Sequence, residues 1–438
     1  MSPTTQGAIV LAVTVLVLLT GAPVAFALGA VGIVFLVLFQ GTSSLQVAAE
    51  TLYSGLYDFT LVSIPMFIMM GAAIGSSPAG RDLYIALDRW LYRVPGGLVI
   101  SNIGACGLFS ALTGSSPATC AAIGKMGIPE MRSRGYPDEV ATGSICAGGT
   151  LGILIPPSIT FILYGIATET SIGRLFLAGI LPGLLLIGLF IAWTLLYIWL
   201  KGFRAYAPEF RYSWKEKFQS IPKVAPFLLI VAGVMYALYG GIATPSEAAG
   251  VGAALCVLLA LVIYRMWSPI AWWEILRSTT RESVMILMII ATAFLFSYML
   301  TSLYITQTLA QTIAEAGLNP WVLMVIINIF LLVSGCFIPP AGIILMTAPI
   351  LLPIITSAGF DPVWFGVIVT INMEIGLITP PVGLNLFVVN AIAPDVPTRT
   401  VLWGSVPYVL CMILALVILS FFPGIATWLP DYLMGPVK

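Results

Sequence analysis

Two apolar stretches of the chain carry a glycine and a pair of prolines at the same spacing. They are residues 151–157 (LGILIPP) and 375–381 (IGLITPP). A proline pair removes two backbone donors and clashes with the preceding turn, so neither stretch can form one continuous helix. A broken helix has free carbonyls at the end of its first half and free amides at the start of its second. Such carbonyls suit a bare cation such as Na⁺, and such amides suit a carboxylate.

A second segment precedes each break and can complete a cation site with it. Residues 110–117 (SALTGSSP) and 334–340 (SGCFIPP) combine small residues, hydroxyls and helix breakers. If each segment is a hairpin tip placed against its break, most ligands are backbone carbonyls. The predicted sodium ligands are Ser110, Thr113, Gly152, Ile155 and Pro157 at the first site, and Gly335, Gly376, Thr379 and Val382 at the second. The alternative interpretation is that these residues only kink helices and pack them closely.

Polar side chains beside the same breaks can bind a substrate through hydrogen bonds. The predicted substrate contacts are Ser115, Ser116, Thr150, Asn385 and Asn390. Asn385 and Asn390 can also simply join neighbouring helices, as polar side chains do in membranes. Glu374 is an acid inside an apolar segment, where ionisable groups are costly, and both a functional and a structural role stay open for it. Glu247 follows a proline and is expected to cap a helix.

The composition is typical of a polytopic membrane protein. Of the 438 residues, 60% are hydrophobic and only 8% are charged, with a mean hydropathy of +1.06. A water-soluble surface needs far more charge than this. The N-terminus lacks the basic region of a cleaved signal peptide, so the first apolar run is expected to be a retained span.

The residue types present also exclude several kinds of chemistry. The chain has no histidine, and none of its six cysteines forms a Cys-x-x-Cys pair. The usual imidazole ligands and general bases are therefore missing. We expect no zinc or haem site, no catalytic residues, no cofactor other than Na⁺ as a coupling ion, and no nucleic-acid partner.

The matching residues extend beyond the two breaks. They indicate that the two halves of the chain contain the same series of elements. At the same offset, Pro129 corresponds to Pro353, and Gly135 to Gly359. We predict one repeat at residues 1–200 and a second at 224–438. The charged stretch between them, 201–223, is predicted to be a cytoplasmic linker.

Apolar length predicts the same elements within each half. Segments 98–128 and 322–352 are too long for one span and too short for two, so we expect re-entrant helical hairpins there. Segments 138–168 and 362–392 are the predicted broken spans. Each half then has about five spans, including one broken helix, plus one re-entrant hairpin.

The basic residues orient the two halves. Of the 18 Lys and Arg residues, all but Arg174 and Lys438 fall on one predicted side of the membrane if the N-terminus is outside. The positive-inside rule makes that side the cytoplasm. Because each half crosses an odd number of times, the second half must be inverted relative to the first. The sequence therefore predicts an all-α polytopic membrane protein built from two inverted repeats.

The motifs around these sites resemble those of the large membrane subunit of TRAP (tripartite ATP-independent periplasmic) transporters. The resemblance spans essentially the whole chain. Its most specific motifs are residues 112–119 (LTGSSPAT), 148–158 (GGTLGILIPPS), 243–249 (ATPSEAA) and 374–385 (EIGLITPPVGLN). One departure is the second hairpin tip, where an acidic residue is expected in many relatives and this chain has Pro339 and Pro340.

The resemblance implies a fold, a mechanism and partners. It implies the elevator fold of the ion-transporter superfamily, in the bacterial inner membrane, driven by a Na⁺ gradient. The cargo would be an organic acid such as a C4-dicarboxylate or a sialic acid. A small four-helix membrane subunit and a periplasmic substrate-binding protein would be the partners, together with the lipid bilayer.

Three other interpretations compete with this one. The first is a stand-alone sodium-coupled dicarboxylate symporter of related architecture, although neither hairpin tip contains Ser-Asn-Thr. The second is a membrane enzyme, which would need a nucleophile or base that this chain scarcely offers. The third is a channel, but broken antiparallel helices with re-entrant hairpins suit alternating access better.

Overall fold

All regular structure in the described residues is helical. The computed structural model describes residues 2–94, 96–201, 212–315 and 317–435, so residues 202–211 of the predicted linker lie outside it. Six helices are long and apolar enough to cross a bilayer, and one bent helix pair can form a seventh span. The predicted class, an all-helical polytopic membrane protein, is confirmed.

The first half of the chain contains α1 to α10. Their bounds are α1 Pro3–Leu19, α2 Val24–Gln40, α3 Ser44–Ser54, α4 Ser63–Gly75, α5 Ala79–Leu91, α6 Gly97–Thr113, α7 Ser116–Ser133, α8 Asp138–Thr150, α9 Ile159–Thr168 and α10 Ile172–Lys201. Short 3₁₀ turns precede α4 at Phe59–Val62 and follow α8 at Leu151–Ile153. Gly114 ends α6 with a positive φ of 56°, which glycine adopts without steric cost. Ser158 caps the start of α9, and its hydroxyl accepts a hydrogen bond from the backbone amide of Phe161 at 3.3 Å.

The second half contains α11 to α20. Their bounds are α11 Trp214–Tyr239, α12 Pro245–Val262, α13 Pro269–Ser302, α14 Ile305–Glu315, α15 Pro320–Gly335, α16 Pro340–Ser357, α17 Pro362–Leu377, α18 Leu384–Ile392, α19 Thr398–Phe421 and α20 Gly424–Met434. The capping role expected of Glu247 is confirmed. Its carboxylate accepts a hydrogen bond from the backbone amide of Thr244 at 2.8 Å. In return, the hydroxyl of Thr244 accepts a hydrogen bond from the backbone amide of Glu247 at 3.3 Å.

Pairs of helices occupy the segments expected to form hairpins and broken spans. The pairs α6–α7 and α15–α16 each join through a short loop, at residues 114–115 and 336–339. Residues 154–158 separate the turn after α8 from α9, and residues 378–383 separate α17 from α18. Both proline pairs lie in these breaks, with cis peptide bonds at Pro156–Pro157 and Pro380–Pro381.

Three helices were not predicted from the lengths of the apolar segments. They are α3, α14 and α20, each 11 residues long. In α3, polar residues alternate with apolar ones, so no long apolar run marks it. It meets the segment of α4 at a bend of 54°. Short amphipathic helices of this kind are specified by packing against their neighbours more than by their own composition.

Helices at corresponding positions of the two halves pack in exchanged pairs. Helix α2 packs against α13, and α12, which corresponds to α2 in the predicted repeat, packs against α4. In the same way α7 packs against α18, and α9 packs against α16. Helix α1 contacts α14, and α11 contacts α5. The two halves therefore interlock rather than stand side by side.

A close backbone contact joins α8 to α19. A Cβ added to Gly143 would overlap the backbone of Gly404, and one added to Gly404 would overlap the carbonyl of Glu139. Only residues without a side chain let two helices approach this closely. The contact positions the helix before the first break against the last long helix of the chain.

Replacing Gly143 by leucine should therefore lower the unfolding temperature of the purified protein. The new side chain has no space against Gly404, and overpacking of this kind costs ~1–3 kcal/mol. Thermal unfolding in detergent measures the effect. Gly188→Leu in α10 is the control, because a Cβ there meets no described atom within 4 Å. Equal losses in both variants would contradict the role of this contact.

Candidate functional site

The loop of the first hairpin lies against the first helix break. A Cβ added to Gly114 would lie 3.0 Å from the carbonyl oxygen of Pro157. A Cβ added to Gly152 would lie 2.7 Å from the carbonyl oxygen of Ser115. Any side chain at Gly152 would therefore displace the loop, whereas glycine lets two backbones approach. The small residues of both segments thus bring the backbone of the loop and that of the break together, including the carbonyls of Ser115 and Pro157.

The second hairpin and the second break make the same kind of contact. A Cβ on Gly376 would overlap the carbonyl of Gly335, which ends α15. The amide of Val382 donates to the carbonyl of Cys336 at 3.2 Å. The backbone of the break is therefore tied to the loop that faces it.

The predicted ligands of the first site are mostly buried. The hydroxyl of Ser110 donates to the carbonyl of Gly107 at 2.6 Å, and the hydroxyl of Thr113 lies 2.7 Å from that of Thr119. A hydroxyl that donates one hydrogen bond keeps lone pairs that can accept a cation. Ile155 is half-buried, and its amide donates to the carbonyl of Leu151 at 3.1 Å.

At the second site the side chain of Thr379 extends the last turn of α17. Its hydroxyl donates to the carbonyl of Ile375 at 2.6 Å and keeps free lone pairs. The side chain of Val382 is 42% exposed, so a contribution from this residue would come from its backbone. Within the described residues no group of three or more Cys, Asp or Glu can hold a metal ion. The predicted ligands at both breaks are neutral carbonyl and hydroxyl oxygens, which are hard ligands.

The five predicted substrate residues lie at different depths. Ser115 borders a large cavity, described below. Ser116 and Asn385 are fully buried, and the Asn385 amide donates to the Ser116 hydroxyl at 2.8 Å and to the Cys146 carbonyl at 3.2 Å. Asn385 lies on α18, so it joins the second half of the chain to the first hairpin tip.

The remaining two residues of that set make local hydrogen bonds. The buried hydroxyl of Thr150 donates to the carbonyl of Ala147 at 2.6 Å. The amide of Asn390 donates to the hydroxyl of Thr398 at 2.9 Å. In this conformation neither side chain borders the cavity.

A cavity of about 700 Å³ opens beside the first hairpin tip. Its volume lies in the range of small-molecule sites. Thr113 and Ser115 of the tip line it together with residues of α4, α5, α7 and α13. Gly71 of α4 lets that helix lie against the tip, since a Cβ there would be 2.8 Å from the carbonyl oxygen of Thr113.

Two basic and two acidic side chains line this cavity. Arg81 of α5 and Lys125 of α7 contribute positive charge, and Glu274 and Glu282 of α13 contribute negative charge. Within the described part of the chain none of the four belongs to an ion pair. The space between them is therefore free for a polar, charged molecule.

The sequence alone did not predict these four residues as site residues. Arg81 and Lys125 were used only to orient the chain in the membrane. A signal was available in α13, where the lining residues follow helical spacing at positions 271, 274, 275, 278 and 282. Positions at this spacing share one face of a helix. Only the fold shows that this face borders the same cavity as a hairpin tip.

Glu374 and Asn372 carry buried polar atoms without partners among the described residues. Both carboxylate oxygens of Glu374 are fully buried and unbonded, as is the side-chain oxygen of Asn372. The Asn372 amide donates to the side-chain oxygen of Asn328 at 2.6 Å, which joins α17 to α15. Both the functional and the structural role of Glu374 remain compatible with this position.

Comparison with known proteins gives one consistent result. The sequence profile described as "Tripartite ATP-independent periplasmic transporter, DctM component" matches residues 11–425. The C4-dicarboxylate TRAP transporter large permease protein DctM of Pseudomonas aeruginosa is 39% identical over 406 residues, covering 93% of this chain and 94% of the relative. The isethionate TRAP transporter permease protein DctMQ of Oleidesulfovibrio alaskensis is 32% identical over 410 residues, covering 94% of this chain but 64% of the relative.

A solved structure shares the fold. The YdaH transporter of Alcanivorax borkumensis superposes with a TM-score of 0.65, covering 90% of this chain and 91% of that one, at 16% sequence identity. At so low an identity the similarity concerns the arrangement of helices alone.

Thiol labelling can test the different depths of neighbouring tip residues. Ser115→Cys should react with a water-soluble maleimide at least tenfold faster than Ser116→Cys, because Ser115 borders the cavity and Ser116 is fully buried. The half-buried Cys336 and Cys411 are replaced by serine in both variants, while the other four cysteines are buried. Mass spectrometry of the detergent-purified protein measures the rates. Faster labelling at position 116 would show that the tip is arranged differently.

Proposed function

Because the chain belongs to the family of large permease proteins (DctM) of tripartite ATP-independent periplasmic transporters, we propose that it drives the import of an organic acid with a sodium gradient. The observation that carries the proposal is the cavity at the first tip. It places Arg81 and Lys125 in one space with Thr113 and Ser115 of the hairpin tip. A carboxylate would be attracted by the two basic side chains while a cation binds at the loop.

Sodium is the coupling ion that the two loop–break contacts suit best. In each, a hairpin loop and a broken helix contribute neutral oxygens, and glycine contacts such as Gly152–Ser115 and Gly376–Gly335 bring the backbones together. A bound Na⁺ would compensate the partial negative charge at the ends of α8 and α17. Because hairpin and break each supply ligands, binding of the ion would fix one against the other and so prepare the substrate site.

The exchanged helix pairs support two inverted repeats and an elevator motion. Contacts such as α2–α13 and α12–α4 relate the halves by exchange of equivalent helices, as a two-fold axis in the membrane plane would. In this proposal the two hairpins and the two broken helices form the moving transport unit. Helices α1, α2, α4, α11, α12 and α13 form the scaffold, and the cavity lies between this scaffold, at α4 and α13, and the moving unit.

The orientation follows from the basic residues. With the N-terminus in the periplasm, Arg81 and Lys125 lie on the cytoplasmic side, so the cavity would open inward. The protein would be in the bacterial inner membrane and would release substrate through this opening.

Two partners complete the proposed transporter. A periplasmic binding protein would deliver the organic acid, and a small four-helix membrane subunit would join the scaffold. The length of the DctMQ relative supports the second partner, since this chain covers only 64% of it. The binding protein and the cavity would together select which acid is transported. Relatives named for C4-dicarboxylate and isethionate transport suggest a carboxylate or another organic anion.

The alternative is a stand-alone sodium-coupled dicarboxylate symporter of related architecture. Uptake by the reconstituted large subunit alone would favour it. Uptake that needs both the small subunit and an added binding protein supports the tripartite proposal.

The first experiment measures uptake of labelled organic acids into vesicles that contain both membrane subunits. With the binding protein outside, an inward Na⁺ gradient should drive uptake of at least one acid from a panel of dicarboxylates, sialic acid and isethionate. Replacing Na⁺ by K⁺ should abolish it. Uptake that persists in K⁺ would contradict sodium coupling.

Thr379→Leu should raise the Na⁺ concentration needed for half-maximal uptake about tenfold, the ratio that ~1.4 kcal/mol produces. The substitution removes a hydroxyl ligand from the second site. Thr356→Leu is the matched control, because Thr356 makes the same local bond to the carbonyl four residues earlier but lies at the far end of α16. Unchanged sodium activation in Thr379→Leu would exclude this residue as a ligand.

A further inference from the structure

The two walls of the cavity carry opposite charges on different structural units. Lys125 lies on a face of α7 that also presents Ala118, Ala121 and Ala122, so small side chains keep the space between tip and lysine open. On the opposite wall, Glu274 and Glu282 lie on one face of α13. They are eight residues apart, about two helical turns or ~12 Å, so acidic groups border the cavity at two depths.

An ion pair joins α5 and α7, the helices that carry Arg81 and Lys125. Arg134 near the end of α7 forms an ion pair with Asp88 of α5 at 3.2 Å, and the side chain of Asp88 is only 7% exposed. Asp88 also accepts a hydrogen bond from Tyr212 at 3.1 Å. Because α5 carries Arg81 and α7 carries Lys125, this ion pair joins the two helices that carry the basic residues of the cavity.

Closing this cavity would leave the four charges in a site with little water. An unpaired buried charge is strongly unfavourable, whereas an oppositely charged partner offsets most of the penalty. When an organic anion is bound, it can neutralise Arg81 and Lys125. When the carrier is empty, only groups of the protein can do so, and the acids that line the same cavity are Glu274 and Glu282.

We infer that Glu274 and Glu282 replace the substrate anion as partners of Arg81 and Lys125 when the empty carrier returns. The inference rests on the proposed function and adds to it how the empty site is neutralised. In the open cavity the two walls are apart and the anion can enter or leave. In the closed, empty cavity α13 meets α5 and α7. The two glutamates then form ion pairs with the two basic residues. A bound anion prevents these pairs, because it occupies the basic residues itself.

The pairing affects one half of the transport cycle and not the other. Net uptake needs the empty carrier to return, whereas exchange of labelled for unlabelled substrate needs only the loaded carrier to move. Loss of the glutamates should therefore slow net uptake and leave exchange nearly intact. Loss of the basic residues should impair both, because it weakens binding of the anion.

The test uses vesicles with both membrane subunits, the binding protein outside and labelled succinate as the first probe, or whichever acid the panel identifies. In the double variant Glu274→Gln with Glu282→Gln, net sodium-driven uptake should fall at least tenfold. Exchange in vesicles preloaded with unlabelled acid should stay within twofold of wild type. Arg277→Gln is the control, since Arg277 is on α13 but does not line the cavity. It should leave both rates unchanged.

A compensating variant guards against simple misfolding. Adding Arg81→Gln and Lys125→Gln to the glutamate variant removes the charges that need neutralising. The ratio of net uptake to exchange should then return toward the wild-type ratio, although the KM for the acid rises. Equal loss of both rates in the glutamate variant, or no loss in either, would overturn the inference. Absence of sodium-driven uptake by the wild type with every acid would instead overturn the proposed function.

Discussion

The need to satisfy free backbone groups inside the membrane determines most of this structure. Each proline pair ends hydrogen bonding within a helix, and the carbonyls before it must find partners in protein because lipid offers none. The chain meets this need mostly within each break, where the carbonyls of Leu151 and Ile375 accept hydrogen bonds from groups a few residues later, and a hairpin loop packs against each break. Gly152 and Gly376 make the approach possible, since a side chain at either position would collide with the loop carbonyls of Ser115 or Gly335. The same contact brings backbone carbonyls of the loop close to the backbone of the break.

This constraint explains which features the sequence could predict. The proline pairs, the glycines around them and the breaker residues of the two loops are local signals, and they mark the interruptions of the helices directly. Capping by Glu247 is equally local, because a threonine three residues earlier completes the capping box. The all-helical class follows from composition alone. These features depend on bonds within a few residues, which spacing along the chain describes well.

The burial of individual side chains and their contacts with distant helices could not be predicted in the same way. Ser115 and Ser116 are neighbours of identical type, yet one borders the cavity and the other is covered by Asn385 from α18. Glu282 lies in a helix that contacts the cavity with one face, and its sequence does not say what that face meets. Helices such as α3 and α14 are too short and too polar for an apolar-length criterion. Their positions depend on contacts with residues far away in the chain.

The hydrogen bond from Asn385 to Ser116 has a consequence for how the protein can evolve. It makes the geometry of the first loop depend on an amide encoded more than half the chain away. The two halves are therefore not independent modules, even if one duplication produced them. A substitution beside the second proline pair can alter the geometry of the first hairpin tip, and a compensating change must arise in the other half. Chimaeras that join halves from different relatives would then lose function even where each half folds correctly.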